Sequence, residues 1–295
     1  MKPIDFDYAR PNSVGEVCAL LDAAGGDGKI LAGGQTLVPL LAMRLARPAL
    51  LIDINRVAEL QGIESRPDEI VVRACTRQAT ALADDAIRQR LPLLAKALRF
   101  VGHVQTRNRG TVGGSLANAD PAAEIGLAAI ALGCTIVARS TTGERRIPIA
   151  EFFRGAMETA LAAGECLATV HFPVWANDAG RVGTGFQEVS PRHSDFAIAA
   201  AAAQVQLDGA GVCRRVAIGV GGTGTVTAHV EAAAERLLGT RLADGDIAEC
   251  ARIAEQAIET AADLHASAEY RRRVAGELVR RAVAEAKSDA LRGSA

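Results

Sequence analysis

The chain has 295 residues, of which 49% are hydrophobic and 23% are charged, as is typical of a globular protein rather than a disordered one. This length predicts about two domains. Lys and Arg number 33 and Asp and Glu number 34, and the resulting charge of −1 excludes nucleic-acid binding through a large net positive charge.

The sequence predicts neither export nor a membrane span. The amino terminus lacks the apolar run of a signal peptide, and the longest charge-free apolar stretch, 125–138, is shorter than the ~20 residues that cross a bilayer. We therefore expect a cytoplasmic protein. The six cysteines include no C-x-x-C pair, so we expect no metal centre in this chain and free, mostly buried thiols.

The first 140 residues are predicted to alternate helices and strands. Ser13 and Glu16 have the spacing of a capping box, and Gly25 and Gly26 end the helix that follows. The predicted strands are 29–32, 50–54, 69–74 and 135–138, and the predicted helices are 79–90, 92–100 and one from Asp120 to about Gly133.

The second half begins with a predicted linker over 173–184, which is rich in turn-forming residues. Strand-like runs follow at 198–207 and 215–220. From Thr227 onward the pattern predicts only helices, over 227–238, 246–262 and 267–287.

Residues 219–224 match the dinucleotide fingerprint G-x-G-x-x-G. That fingerprint functions only inside a βαβ unit, whose second parallel strand carries an acid about 20 residues further on. Because the sequence from Thr227 onward is predicted to be helical, no second strand is available. We therefore interpret this motif as a structural turn.

Two other glycine segments are better candidates for binding a ligand. Residues 32–37 (Ala-Gly-Gly-Gln-Thr-Leu) follow a predicted strand, and residues 109–115 (Arg-Gly-Thr-Val-Gly-Gly-Ser) precede the helix assigned to Asp120. Adjacent glycines let backbone N–H groups approach phosphate oxygens, and Gln35 and Thr36 add neutral donors. Two such loops suit a diphosphate, while a plain strand-to-helix turn is the alternative for the first.

Two acidic residues follow the second segment. Asp120, with a proline after it, fits the N-cap of a helix. Glu124 lies one turn further, where it can accept a hydrogen bond from a ribose hydroxyl. The structural alternatives are that Asp120 is only a cap and that Glu124 only interacts favourably with the helix dipole.

Several segments together resemble the FAD-binding medium subunits of molybdenum hydroxylases, of the xanthine dehydrogenase and carbon monoxide dehydrogenase type. Residues 32–36 and 44–48 are similar to the first FAD loop of that family, and residues 101–115 with 119–124 are similar to the second. The resemblance covers nearly the whole chain, because further similar segments lie at 186–189, 195–197, 215–220 and 263–272.

The resemblance implies an α+β fold. A vanillyl-alcohol-oxidase/PCMH-type FAD-binding domain in two α/β subdomains is followed by a C-terminal domain of a small antiparallel sheet with helices. The implied limits are 1–175 for the first domain, with subdomains of about 1–55 and 56–175, and 180–290 for the second, which is similar to the CO dehydrogenase flavoprotein C-terminal domain.

The resemblance also implies an oxidoreductase assembled from three kinds of subunit, with FAD in this chain. A large partner subunit would hold molybdopterin cytosine dinucleotide and hydroxylate the substrate, and a small partner subunit would hold two 2Fe–2S clusters. This chain would pass electrons from those clusters to an external acceptor, without a catalytic residue of its own, in a dimer of heterotrimers.

Carried over position by position, the resemblance implies which residues contact FAD. Val101 and Gly102 would lie near the flavin, and His103 would either touch it or form a structural hydrogen bond. His193 would border the ring or the acceptor entrance, or lie in a solvated turn. The candidates are Ala32, Gly33, Gly34, Gln35, Thr36, Leu37, Gly110, Thr111, Gly113, Gly114 and Ser115 at the pyrophosphate, Val101, Gly102 and His103 at the flavin, Asp120 and Glu124 at the ribose and adenylate, and Leu167 and Gln187 from later strands.

One departure bears on the substrate. Gln35 stands where the carbon monoxide dehydrogenase branch has histidine, which favours hydroxylases of N-heterocycles or related small molecules and leaves a carbon monoxide dehydrogenase medium subunit as an alternative. A self-sufficient flavin oxidoreductase would be active as an isolated chain. A non-catalytic assembly subunit would bind adenine nucleotide without a redox-active flavin.

Overall fold

The computed structural model describes residues 2–175, 180–192 and 194–292. Residues 176–179 of the predicted linker and the candidate His193 therefore lie outside the described residues. Within the described ranges, strands form a three-stranded, a five-stranded and a four-stranded sheet and one two-stranded hairpin. In the same ranges, no helix has both the length and the apolar character that a bilayer crossing requires.

The first sheet is parallel. It and its helices consist of β1 (Asp7–Ala9), α1 (Val14–Ala23), β2 (Gly28–Leu31), α2 (Leu37–Ala42) and β3 (Leu50–Asp53). β3 is central and pairs in parallel with β1 and β2. The carboxyl ends of β2 and β3 therefore lie at one edge, where the segment after Leu31 and the segment after Asp53 are neighbours.

The second sheet is antiparallel, with strand order β4-β5-β10-β6-β7. Its strands and the adjoining hairpin are β4 (Ile63–Ser65), β5 (Glu69–Arg73), β6 (Thr135–Ser140), β7 (Gly143–Pro148), β8 (Phe153–Gly155), β9 (Glu158–Thr159) and β10 (Cys166–Pro173). The helices around it are α3 (Gln78–Ala83), α4 (Asp85–Arg90), α5 (Pro92–Phe100), α6 (Val104–Arg109), α7 (Val112–Asn118), α8 (Glu124–Leu132) and α9 (Ile149–Phe152).

The third sheet is antiparallel in the order β11-β12-β13-β14. Its elements are β11 (Arg181–Val189), β12 (Ala199–Leu207), β13 (Cys213–Gly221), β14 (Ala228–His229), α10 (Glu231–Glu235), α11 (Asp244–Ala257) and α12 (Ala268–Arg292). α12 packs on one face, and α5 and α8 of the preceding part pack on the other. Every residue of β12 is buried, which explains its nearly continuous apolar sequence.

An ion-paired network joins the two parts of the chain beside this sheet. Lys96 of α5 binds Glu285 of α12 at 2.7 Å and also donates to the Thr184 carbonyl. The Asp289 carboxylate accepts from the backbone N–H of Thr184 at 3.0 Å. All four residues are at least partly shielded from solvent, so the sheet is anchored to both neighbours.

The predicted fold class is confirmed, whereas several element boundaries are wrong. The predicted helix 79–90 is two helices, because Asp84 ends α3 and its side chain caps α4 by accepting from the Ile87 N–H. The predicted helix 227–238 is helical only over 231–235, because residues 228–229 pair with β13. The strands β7 and β10 were not predicted.

The predicted linker and the second predicted loop also contain regular structure. β11 begins inside 173–184, where Gly183 suggested a linker. A Cβ on Gly183 would lie 2.1 Å from the Ala286 carbonyl oxygen of α12, so the packing of that helix requires glycine here. The segment 109–115 is mostly helical, because it holds the end of α6 and the start of α7.

Candidate functional site

The first glycine segment, residues 32–37, connects β2 to α2 at the carboxyl edge of the parallel sheet. Gly34 has φ +72°, a left-handed conformation that suits glycine. The Gln35 amide donates to the Gly33 carbonyl at 3.2 Å, so it stabilises the turn itself.

The backbone N–H groups of this segment are available to a ligand. No described residue accepts a hydrogen bond from the N–H of Gly34, Gln35 or Thr36. Three successive free N–H groups form the arrangement that binds phosphate oxygens. The first segment therefore has the donor set that the sequence predicts for it.

The second segment offers different donors. Thr111 caps α7, and its hydroxyl oxygen accepts from the Gly114 N–H at 3.1 Å. The N–H groups of Val112 and Gly113 donate to carbonyls near β5, at 3.0 and 2.9 Å. These N–H groups are therefore used within the chain, whereas the half-buried Ser115 hydroxyl bonds to no described residue.

The two segments lie directly against each other. A Cβ on Gly33 would lie 2.6 Å from the Arg109 carbonyl oxygen and 2.7 Å from the Gly110 Cα. A Cβ on Gly114 would lie 3.7 Å from that of Ala32. We call residues 32–37 and 110–115 together the glycine cradle. Its close backbone approach requires glycine at position 33.

Two polar side chains that the sequence analysis missed hold the cradle together. Arg77 donates to the Arg109 carbonyl and, at 2.7 Å, to the Asn55 side-chain oxygen. The Asn55 amide donates to the Ala32 carbonyl at 2.8 Å. The first segment is thus linked to the second through Asn55 and Arg77.

Asp53 supports this link from the end of β3. It accepts from the Asn55 amide at 2.6 Å and from the Tyr8 hydroxyl. Burial alone would raise the pKa of Asp53, but these hydrogen bonds outweigh burial and hold its pKa below the ordinary value. An ionised Asp53 fixes Asn55. The available signal was the polar pair Asp53 and Asn55 at the end of an apolar strand, since parallel strands place their ends at one edge.

The turn at 101–103 is fixed by its own helix. Arg107 of α6 donates to the carbonyls of Val101 and Gly102 at 2.8 and 2.6 Å. Val101 is buried, and His103 is exposed at the start of α6 without capping it through its side chain. The turn therefore presents backbone and an aliphatic side chain to its surroundings.

Asp120 does not begin a helix, so that prediction is wrong. Its carboxylate accepts from the Ala122 N–H at 2.9 Å and closes a local turn, as aspartate often does, and α8 begins only at Glu124. Burial, together with the neighbouring Asp120 charge, raises the pKa of Glu124 to about 7. Glu124 is therefore partly protonated at neutral pH.

The two candidates from later strands contact other parts of the fold. Leu167 is buried in the core of the five-stranded sheet. Gln187 of β11 points to α12, where its amide donates to Glu285 at 2.9 Å. Contact of either residue with a cofactor stays a prediction.

The fold and the cradle define a class of protein. Free N–H groups at the edge of a parallel sheet and a second segment pressed against them are an arrangement that suits a diphosphate-containing nucleotide cofactor. The five-stranded and four-stranded antiparallel sheets and their helices complete the fold. The rejected fingerprint at 219–224 lies in an antiparallel sheet, which confirms that it forms no βαβ unit.

Comparison with known proteins defines this class further. Residues 4–175 match the family model for the FAD binding domain in molybdopterin dehydrogenase, and residues 184–286 match that for the CO dehydrogenase flavoprotein C-terminal domain. The chain is 41% identical to the 6-hydroxypseudooxynicotine dehydrogenase complex subunit alpha of Paenarthrobacter nicotinovorans, over 97% of this chain and 96% of that one. It is 36% identical to the caffeine dehydrogenase subunit beta of Pseudomonas sp. (strain CBB1), over 97% and 96%.

Solved structures agree with the sequence matches. A carbon monoxide dehydrogenase chain from Hydrogenophaga pseudoflava superposes with a TM-score of 0.94 at 34% identity, covering 98% of this chain and 99% of that one. A quinoline 2-oxidoreductase chain from Pseudomonas putida 86 gives 0.92 at 34%, covering 99% and 100%.

The chain therefore belongs to the family of FAD-binding medium subunits of molybdenum hydroxylases. It is an oxidoreductase subunit with FAD as its cofactor, as the resemblance predicts. The cradle fits this cofactor, because its free N–H groups suit the pyrophosphate.

Proposed function

We propose that this chain carries FAD as the electron-transfer subunit of a heterotrimeric molybdenum hydroxylase, passing electrons from 2Fe–2S clusters of a small partner subunit to an external acceptor. The observation that carries the proposal is the glycine cradle, in which free N–H groups at 34–36 lie beside the second segment. The family of the chain supports FAD as the molecule bound there.

Bound FAD supplies the redox chemistry, and the chain supplies binding and orientation. In this proposal the N–H groups of residues 34–36 and the Ser115 hydroxyl hold the pyrophosphate. The turn at 101–103 lies at the flavin, and the turn from Asp120 to Glu124 lies at the ribose. Asn55 and Arg77 act through the cradle, because they fix its two segments without being part of it.

The proposed substrate of the whole complex is an N-heterocycle or a related small molecule, hydroxylated in a large subunit that holds molybdopterin cytosine dinucleotide. Relatives at 41% and 36% identity are named for 6-hydroxypseudooxynicotine and caffeine. Carbon monoxide is the second candidate, because the medium chain of Hydrogenophaga pseudoflava carbon monoxide dehydrogenase is 33% identical over 96% of this chain.

We also propose domain limits of 1–175 and 180–290, a cytoplasmic location and a dimer of heterotrimers. The separate four-stranded sheet that begins at Arg181 supports the domain limits. Light scattering of the purified complex measures its assembly state.

The test is purification of the complex from the native host through an affinity tag on this chain. The proposal expects one FAD per tagged chain and two co-purifying subunits, one with 2Fe–2S spectra and one with molybdenum. The complex should reduce an added dye with nicotine-like heterocycles as donors. Activity with carbon monoxide alone would instead support the second candidate, and a complex without flavin would contradict the electron-transfer role.

A further inference from the structure

β11 presents alternate side chains to two different surroundings, because successive strand residues point to opposite faces. Gln187 faces α12 and donates to a glutamate of that helix. Phe186 faces the other way, and its ring lies 4.9 Å, between centroids, from Phe100 at the end of α5. Glu188 is on the same face of β11 as Phe186, and this face packs against Phe100, the residue that precedes the turn at 101–103.

The Glu188 carboxyl is not satisfied within the described chain. Its Oε2 atom is buried and has no hydrogen-bond partner among the described residues. A buried polar atom without a partner is unfavourable, and folded proteins rarely contain one. A bound molecule with a polar edge would supply the missing partner.

The charges around Glu188 determine which hydrogen bonds it can form. Burial, together with the nearby Glu124 carboxylate, raises the pKa of Glu188 to about 8. Burial likewise raises the pKa of Glu124 to about 7, with Asp120 acting in the same direction. A protonated carboxyl both donates and accepts, whereas an ionised one only accepts. At neutral pH Glu188 is therefore able to donate.

We infer that Glu188 is an FAD-contacting residue, whose buried carboxyl forms a hydrogen bond to a polar edge of the cofactor between the turn at 101–103 and Glu124. The inference rests on the proposed function, because it takes FAD as the molecule bound beside Glu188. It assigns the polar contact from β11 to Glu188, since Gln187 is engaged with α12.

The test compares four forms of the full chain: wild type, Glu188→Gln, Glu188→Ala and the control Glu235→Gln, which changes an exposed glutamate of α10. Each apo form is titrated with FAD by flavin fluorescence to obtain Kd. The visible spectrum of the bound flavin and the melting temperature are recorded in parallel.

Glu188→Ala should weaken FAD binding about tenfold and shift the bound-flavin spectrum, because the donor is lost. Glu188→Gln keeps a neutral donor and should stay within about threefold of wild type, as should the control. Wild-type Kd and spectrum in Glu188→Ala would overturn the inference, as would equal weakening in Glu188→Gln and Glu188→Ala. A wild-type chain that binds no FAD would instead contradict the proposed function itself.

Discussion

The glycine cradle and the glycine run at 219–224 have similar compositions and opposite uses. In the cradle, Gly33 lets two segments touch, while the N–H groups that follow it stay free. In the run, the Gly222 N–H donates to the Pro121 carbonyl at 2.8 Å, and its own carbonyl accepts from the buried Arg271 guanidinium. The run therefore bonds to its own protein through both backbone groups of Gly222.

The two regions also differ in what a side chain would meet. A Cβ on Gly219 would lie 2.9 Å from the Leu127 Cδ1 of α8, so this glycine permits a helix to pack on the sheet. A Cβ on Gly33 would meet the backbone of the other cradle segment. Glycine thus permits a close approach in both regions. The neighbouring elements determine whether that approach shapes a ligand site or lets a helix pack on the sheet.

The largest expected effect on FAD binding is that of Gly33→Val. The new side chain must separate the two cradle segments, so we expect FAD affinity to fall by roughly a hundredfold or more, as expected for loss of a fitted backbone contact. Gly245→Ala on α11, where a Cβ meets nothing within 4 Å, is the matched control. Fluorescence titration with FAD measures both, and tight binding by Gly33→Val would contradict the cradle as the binding site.

Arg77→Met should have the next largest effect. It removes both hydrogen bonds to the Arg109 carbonyl and to Asn55 and leaves these acceptors without their partner. We expect FAD binding to weaken by roughly tenfold. Arg88→Met, which loses only a surface ion pair with Asp85, serves as the control, and equal FAD affinity in the two variants would show that the link is dispensable.

Gly219→Val should lower the stability of the chain and leave FAD binding nearly unchanged. Overpacking against Leu127 should lower the free energy of unfolding by about 1–3 kcal/mol, while FAD affinity changes less than about threefold. Denaturant unfolding and FAD titration of the same sample test both statements. A loss of FAD affinity as large as that of Gly33→Val would show that the run also forms part of the cofactor site.

The smallest expected effect concerns pH. Glu188 has a pKa of about 8 in the folded chain and an ordinary value near 4.5 when unfolded, so the folded state binds more protons between these pH values. Its contribution to stability is therefore lost as pH rises from about 4.5 to 8. Glu188→Gln should melt higher than wild type by roughly 2–4 °C at pH 9, with a smaller difference at pH 5. A difference that is constant with pH would contradict this assignment.

The sequence predicted both segments of the cradle, because glycine pairs and apolar strands are local signals. It could not show that residues 112–118 form a helix whose N–H groups are already used, because Thr111, Ala74 and Thr76 supply those acceptors through capping and tertiary contacts. Asn55 and Arg77 were missed for the same reason, since they are 22 positions apart in sequence and meet only in the fold.

Packing and turn formation explain two elements whose limits were predicted wrongly. Gly180 and Gly183 suggested a linker, although Gly183 lies in a strand beneath α12. Asp120 suggested a helix start, although its carboxylate closes a turn and the helix begins four residues later, at Glu124. Local preference was correct about turn formation and wrong about where the regular element starts.

The most direct test of the glycine cradle is amide hydrogen exchange of the full chain with and without FAD. The N–H groups of Gly34, Gln35 and Thr36 have no partner among the described residues, so bound FAD should slow their exchange strongly. Exchange at 219–224 should be nearly unchanged. Unaltered exchange at 34–36 in an FAD-saturated chain, or protection concentrated at 219–224, would contradict the account.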